Sequence, residues 1–203
     1  VLGVEPNEKI AGIANQSQLE TINDYFSSAV ANGIKKRYGR AAIITANYMY
    51  ANIDNVVDFT QNVKKLLDDE GLFVIQTGYH PEQMKINMFD YVYHEHFSYF
   101  SVKVLKQLLA NCGMELIHVS LSPPKGGSIR VIAQHSKGKR VVNESVEPFI
   151  RAEENAAIHK PETYRRFADE INLLKKELND LLKQIHATGH TIVGYGASHS
   201  TTT

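Results

Sequence analysis

The densest group of reactive side chains lies in residues 89–100, FDYVYHEHFSYF, where Tyr93, His94, Glu95 and His96 follow one another. So many ring nitrogens, hydroxyls and carboxylates are costly to bury, because each polar atom then needs a partner. Three readings are open. His94 and His96 are two apart, share a face of an extended chain and could ligate zinc, although no second ligand pair stands at a familiar spacing. The cluster could be purely structural, a set of polar aromatics satisfying one another. Or it could move protons: a neutral histidine with a reference pKa of about 6.5 accepts a proton near neutrality, and a neighbouring tyrosine can orient it or relay the proton.

A second group is the turn PPKGGSIR at residues 123–130. Gly126 and Gly127 followed by Ser128 can bring backbone N–H groups close to a ligand oxygen, and Lys125 and Arg130 flank the turn, so it could hold a phosphate or diphosphate. The alternative is a plain hairpin glycine pair. Glu5, at the end of VLGVEP, could accept hydrogen bonds from ribose hydroxyls if that strand belongs to a nucleotide-binding sheet; otherwise it is a helix cap or turn residue. Gly194-Tyr195-Gly196 follows the apolar run TIV, yet His199 stands where a dinucleotide fingerprint has its third glycine.

These groups need a frame to hold them, and the chain supplies alternating elements. VLGVEP, AAIITA, LFVIQT, ELIHVSL and SIRVIAQ read as strands. In NVVDFTQNVKKLLDDEG the residues Val56, Phe59, Val63, Leu66 and Leu67 follow a helical period, with Asp54 or Asn55 as N-cap and Gly71 as the stop. Ser101 caps a second helix closed by Gly113. Alternation predicts a mostly parallel α/β sheet, and the two strands around PPKGG must be antiparallel. A parallel sheet that finishes in an antiparallel hairpin is the Rossmann-like organisation of class I methyltransferases. Beyond about residue 138 the pattern turns helical. Tyr164, Phe167, Ile171, Leu174, Leu178, Leu181 and Ile185 form a narrow seam that needs a partner, with packing inside the subunit expected over a dimeric coiled coil. A strand is expected at residues 191–196.

Composition narrows the function classes. With 203 residues the chain is one or two domains, and 22 Lys+Arg balance 22 Asp+Glu, which disfavours a polyanion-wrapping protein. Hydrophobic residues make up 43%, enough for a core, and no apolar run approaches the roughly 20 residues of a membrane span. A lone Cys112 in a helical pattern reads as a small buried thiol and fits a reducing, cytoplasmic setting. Val1 begins without an export signal, and both ends are expected to cut through folded units.

Taken in order, GVEPN, AAIITAN with MYANIDNVVDF, FDYVYHEHFSYFS, KGGSIRV and GYGAS resemble the C-methyltransferases that act on nucleotide-linked keto-sugars. The YHEHFSYFS and GGSIR blocks are the specific ones. The resemblance implies a methyltransferase domain at 1–138 lacking its first strand and glycine loop, a helical connector at 139–190, and the beginning of a C-terminal α/β domain at 191–203. It also implies S-adenosylmethionine as cofactor, with zinc confined to an N-terminal region that the family has and this sequence does not contain. Glu5 would bind the cofactor ribose, Asp24 would lie near the adenine and Asn47 near the methionine portion. Tyr93 and His96 would serve in deprotonation with Glu95 touching the sugar, while Lys125, Gly126, Gly127, Ser128, Arg130 and Tyr195 would face the substrate. The partner is then a small nucleotide-sugar, with no nucleic acid and no membrane, and the protein a monomer or a homodimer through 164–185.

The chain departs from that family in three places. Tyr48 and Asn52 replace the ends of an N-x-x-x-H pattern, QTGY at 76–79 lacks the acid common after this strand, and Lys125 precedes the glycines where histidine is common. The acceptor is therefore less fixed by the resemblance than methyl transfer is.

Overall fold

The computed structural model describes residues 1–196 and contains two short sheets flanked by helices. The first sheet pairs β1 (Gly3–Val4) in parallel with β2 (Thr21–Ile22) across α1 (Glu8–Gln16). After α2 (Ser28–Tyr38) the second sheet begins with β3 (Ala41–Asn47), which runs parallel to β4 (Leu67–Gly78) beyond α3 (Val56–Leu66). Then come α4 (His80–Lys85), α5 (Val102–Asn111), β5 (Met114–Ser122), β6 (Ser128–His135), α6 (Val146–Asn155) and α7 (Pro161–Ala187). The spatial order is β3-β4-β6-β5, with β6 antiparallel to both neighbours. The expected terminal hairpin is present, and the sheet as a whole is mixed rather than mostly parallel.

Local chemistry sets the helix starts. Asn7, Ser27, Asn55 and Ser101 each accept a hydrogen bond from a backbone N–H of the first helical turn, which satisfies donors that have no partner inside the helix. The cap of α3 is thus Asn55, not Asp54. Its far end differs from expectation as well: α3 stops at Leu66 and the chain enters β4 at Leu67, with a register shift opposite Ala41 and Ile43. Gly71 sits within that strand. A Cβ there would lie 2.8 Å from Leu67 Cγ and 2.9 Å from the Ala41 carbonyl oxygen, so close packing selects this glycine, not a helix stop.

The main core gathers Phe73 and Ile75 of β4, Ile129, Val131 and Ala133 of β6, Val63 of α3, and Leu105 and Leu109 of α5 around the buried ring of Tyr50. A second apolar cluster joins the two sheets, with Ile34 and Leu66 packed by Val4, Ile22, Ala41 and Ile44. Phe26, just past β2, meets Phe59 of α3 edge to face at 5.1 Å.

The long helix α7 is exposed over most of its length. None of its residues is buried, and Leu174, Leu178 and Leu181 are 45%, 53% and 52% exposed, so this stretch of the seam is left open among the described residues. Its first turn is held by Tyr164, stacked on His80 at 5.8 Å. The expected strand at 191–196 is irregular chain, because a lone extended segment has no neighbour to hydrogen-bond; His199 lies outside the described residues. No helix among the described residues is long and apolar enough to cross a membrane.

Candidate active site

The segment carrying Tyr93-His94-Glu95-His96 is a loop between α4 and α5, tied down at both ends. Phe100 bridges Tyr79 at the end of β4, the His80 N–H donates to the Phe100 carbonyl at 3.2 Å, and the Phe97 and Ser98 N–H groups donate to the Ala51 carbonyl at 2.9 and 3.2 Å. Within the loop His96 is half-buried in a cage of tyrosine rings, with Tyr91 and Tyr93 each 4.4 Å away between centroids and Tyr99 at 5.6 Å.

The decisive contact is His96 Nδ1 to the Tyr91 carbonyl oxygen at 3.1 Å. A carbonyl can only accept, so Nδ1 carries the hydrogen and Nε2 keeps the lone pair. Burial lowers the His96 pKa from its ordinary 6.5, the Tyr91 carbonyl opposes that by favouring the charged ring, Lys125 adds to the lowering and Glu95 to the opposition. The net direction is down. His96 is therefore a neutral imidazole of defined tautomer at physiological pH, fit to take a proton at Nε2. Tyr93 is raised by burial and by the charges of Glu95 and Tyr99, so it stays a neutral phenol that can orient or donate.

Tyr91 owes its place to Gly78 at the end of β4. A Cβ on Gly78 would come within 2.3 Å of the Tyr91 hydroxyl and 2.7 Å of Gln83 Nε2, and Gln83 hydrogen-bonds that hydroxyl. Gly78→Ala is expected to displace Tyr91, and His96 with it, lowering kcat by roughly 10–100-fold while the circular dichroism spectrum is kept. A variant of unchanged kcat would remove Tyr91 from the support of the site.

Lys125 stands at the tip of the β5–β6 hairpin with φ +58, a left-handed conformation that strains a side-chain-bearing residue. Its ammonium lies over the Tyr48 ring at 4.6 Å, and Tyr48 is itself at φ +52. The Tyr48 hydroxyl accepts from Gln76 Nε2 at 2.8 Å, and Gln76 Oε1 accepts from Arg130 Nε and Nη2 at 3.3 and 3.0 Å. Arg130 thus reaches Lys125 through Gln76 and Tyr48. The glycines serve packing more than an open cradle: a Cβ on Gly126 would meet Met88 Sδ at 2.2 Å, one on Gly127 would meet Glu82 Cβ at 2.7 Å, and the Gly127 N–H already donates to the Pro124 carbonyl. Ser128 is fully buried, and its hydroxyl donates to the same carbonyl at 2.8 Å.

On the cofactor side, Glu5 and Asp24 lie just past the paired strands β1 and β2. One Glu5 oxygen accepts from the Asn7 N–H at 2.8 Å at the start of α1, and the half-buried carboxylate keeps its other oxygen for a hydroxyl donor. Asp24 accepts from the Tyr25 N–H and is otherwise exposed, as is Asn47 at the end of β3. These carboxylate oxygens are acceptors that suit the hydroxyls of a ribose diol, with the Asn47 amide as an adjacent polar group.

The structure therefore brings Tyr93 beside His96, with Glu95 and Lys125 near enough for their charges to act on the imidazole, and connects Arg130 to Lys125 only through Gln76 and Tyr48. Tyr195 is not brought to them: it is fully exposed. Sequence reasoning missed Tyr91, Gln83, Gly78 and Gln76. The signal available for Tyr91 was its alternation with Tyr93 just ahead of the histidines. His94 is exposed, and among the described residues no group of three or more His, Cys, Asp or Glu side chains could hold a metal, which leaves the zinc reading without a third ligand. A cavity of about 120 Å³ nearby is lined by His80, Tyr99, Lys103, Glu154 and Tyr164 and does not include His96.

Comparison with known proteins adds family to geometry. Residues 1–119 match a family model described as a methyltransferase domain, and residues 123–203 match a C-methyltransferase C-terminal domain. The C-methyltransferase NovU of Streptomyces niveus is 34% identical over 197 residues, which are 97% of this chain and 47% of NovU. The chain thus spans about half the length of that relative. A SAM-dependent methyltransferase from Anabaena variabilis superposes with a TM-score of 0.52 at 12% identity, covering 66% of this chain and 68% of its own. A pericyclic reaction enzyme superposes at 0.50 with 11% identity, over 66% of this chain and 36% of its own, so the fold by itself does not select a reaction.

Proposed function

The chain belongs to the methyltransferase-domain family, and on that premise we propose that it serves methyl transfer from S-adenosylmethionine to the carbon beside a ketone of a nucleotide-linked sugar. The observation that carries this reading is the His96 tautomer: Nδ1–H is committed to the Tyr91 carbonyl, and Nε2 is left as a base among tyrosines. Oxygen and nitrogen acceptors hold a usable lone pair already; a carbon acceptor must first lose a proton. The C-methyltransferase description of the family model at 123–203 supports carbon as the acceptor.

The chain's own residues divide the work. Glu5 would hold the cofactor ribose, with Asp24 and Asn47 along the same ligand. Bound S-adenosylmethionine supplies a sulfonium methyl group open to attack by a carbanion. His96 removes the C–H proton, Tyr93 orients the imidazole or the sugar, and Glu95 faces the sugar hydroxyls from the loop surface. A keto-sugar methylase of this kind works on a cytoplasmic metabolite, in keeping with a free, buried Cys112.

Incubating the protein with methyl-labelled S-adenosylmethionine and a panel of nucleoside-diphosphate-linked 3-keto- and 4-keto-hexoses tests the reading. Label on a sugar carbon is the expected result; label only on oxygen or nitrogen would overturn it. A pH profile gives a second check. Protonated His96 cannot accept, and its pKa is shifted below 6.5, so kcat/KM is expected to be flat near neutrality and to fall on acidification with a midpoint below 6.5. A midpoint above 7 would assign the base elsewhere.

A further inference from the structure

Removing a proton beside a ketone pushes the C–H electron pair into an enolate, and negative charge collects on the former carbonyl oxygen. A base alone leaves that charge unmatched. In a site partly screened from water, a fixed cation or hydrogen-bond donor aimed at the oxygen supplies the largest single contribution to such a step.

From the placement of Lys125 we infer that its ammonium is the electrophilic partner of His96, donating a hydrogen bond to the ketone oxygen as the enolate forms. This rests on the carbon-methylation reading above and adds the group that holds the developing charge. Four observations carry it. The Lys125 ammonium lies on the Tyr48 ring face, 4.6 Å from its centroid, and forms no ion pair with a carboxylate among the described residues, so its charge is not already matched. The residue is held in a left-handed backbone conformation by a turn whose two following glycines are wedged against Met88 and Glu82, and its carbonyl accepts from buried Gln83 at 3.4 Å. Gln83 also bonds the hydroxyl of Tyr91, whose carbonyl fixes the His96 tautomer, so one buried amide ties acid and base into the same frame. Finally, the ammonium is close enough to His96 for its charge to disfavour the imidazolium.

The step balances without another reactant. The C–H bond breaks, the proton goes to His96 Nε2, the C–H electron pair becomes the new C=C bond, and the C=O π pair it displaces moves onto oxygen, where Lys125 meets it. The groups that face His96 are Tyr91, Tyr93, Tyr99, Glu95 and Lys125, and of these Lys125 alone is cationic.

The test is solvent deuterium exchange at the keto-sugar carbon, followed by NMR without methyl donor, for the native protein, Lys125→Met and Lys125→Arg, using the same keto-hexose panel. Lys125 is exposed, so these variants keep the fold. The expected result is exchange by the native protein, a loss of about 10²–10³-fold in Lys125→Met, partial recovery in Lys125→Arg, and an upward shift of the acid limb in Lys125→Met because a neighbouring positive charge has gone. Lys125→Met that exchanges at the native rate but shows a raised KM would overturn the inference and make Lys125 a diphosphate contact, leaving carbon methylation standing. No exchange by the native protein on any of the panel would overturn the carbon-methylation reading, and this inference with it.

Discussion

His96→Ala is expected to lower methyl transfer to carbon by about 10²–10⁴-fold, the range that a positioned general base contributes. The imidazole has no substitute in the cage. Tyr91, Tyr93 and Tyr99 all have pKa values raised by burial, so none becomes a phenolate base near neutrality, and Glu95 is exposed on the loop surface. The loss should fall on kcat, because the loop's anchors at Ala51, Tyr79 and His80 do not involve the imidazole and keep the binding surface in place. Calorimetry of S-adenosylhomocysteine binding should show native affinity in the variant. A decrease of less than tenfold would exclude His96 as the base.

Glu153→Ala is expected to be the most damaging single change to stability. Glu153 is 2% exposed, on α6, and its carboxylate accepts from the Tyr79 hydroxyl at 2.9 Å, the Val102 N–H at 2.6 Å and the Lys103 N–H at 3.0 Å. Truncation leaves three donors facing a dry gap, two of them at the amino end of α5 where negative charge is favoured. With unsatisfied buried donors costing about 1–3 kcal/mol each and some relief from entering water, the loss should be about 3–5 kcal/mol. For a chain of this size that lowers Tm by roughly 10 °C. Glu153→Gln keeps one acceptor oxygen and should fall between the two. A Tm within two or three degrees of native for Glu153→Ala would show that α6 does not hold α5 and β4 together.

The parts of the fold that were legible in the sequence are those decided by short-range chemistry. Ser101 before an apolar helical period and Gly113 after it mark α5, and two β-rich runs around PPKGG can only form an antiparallel hairpin. The end of α3 was not legible, since LLDDEG continues a helical pattern and only the pairing of Leu67 with Ala41, a contact between residues far apart in the chain, draws it into β4. The period of α7 was legible as one long helix, but period says nothing of what covers its apolar side. At the site, YHEH stood out because its composition is expensive to bury. Tyr91 and Gln83 did not, because their roles depend on Gly78 and Lys125 arriving from other elements. The glycines of KGGS suggested a phosphate cradle; tertiary contact with Met88 and Glu82 accounts for them instead.

The proton on His96 Nδ1 is held by a peptide carbonyl, and this has a bearing on how the site tolerates drift. Every amino acid at position 91 brings that oxygen with it. Substitution can loosen the ring cage or shift the loop, but it cannot delete the acceptor as losing a carboxylate would in a histidine–aspartate pair. The tautomer is thereby insulated from point mutation at its own partner, and selection at position 91 acts on the ring alone.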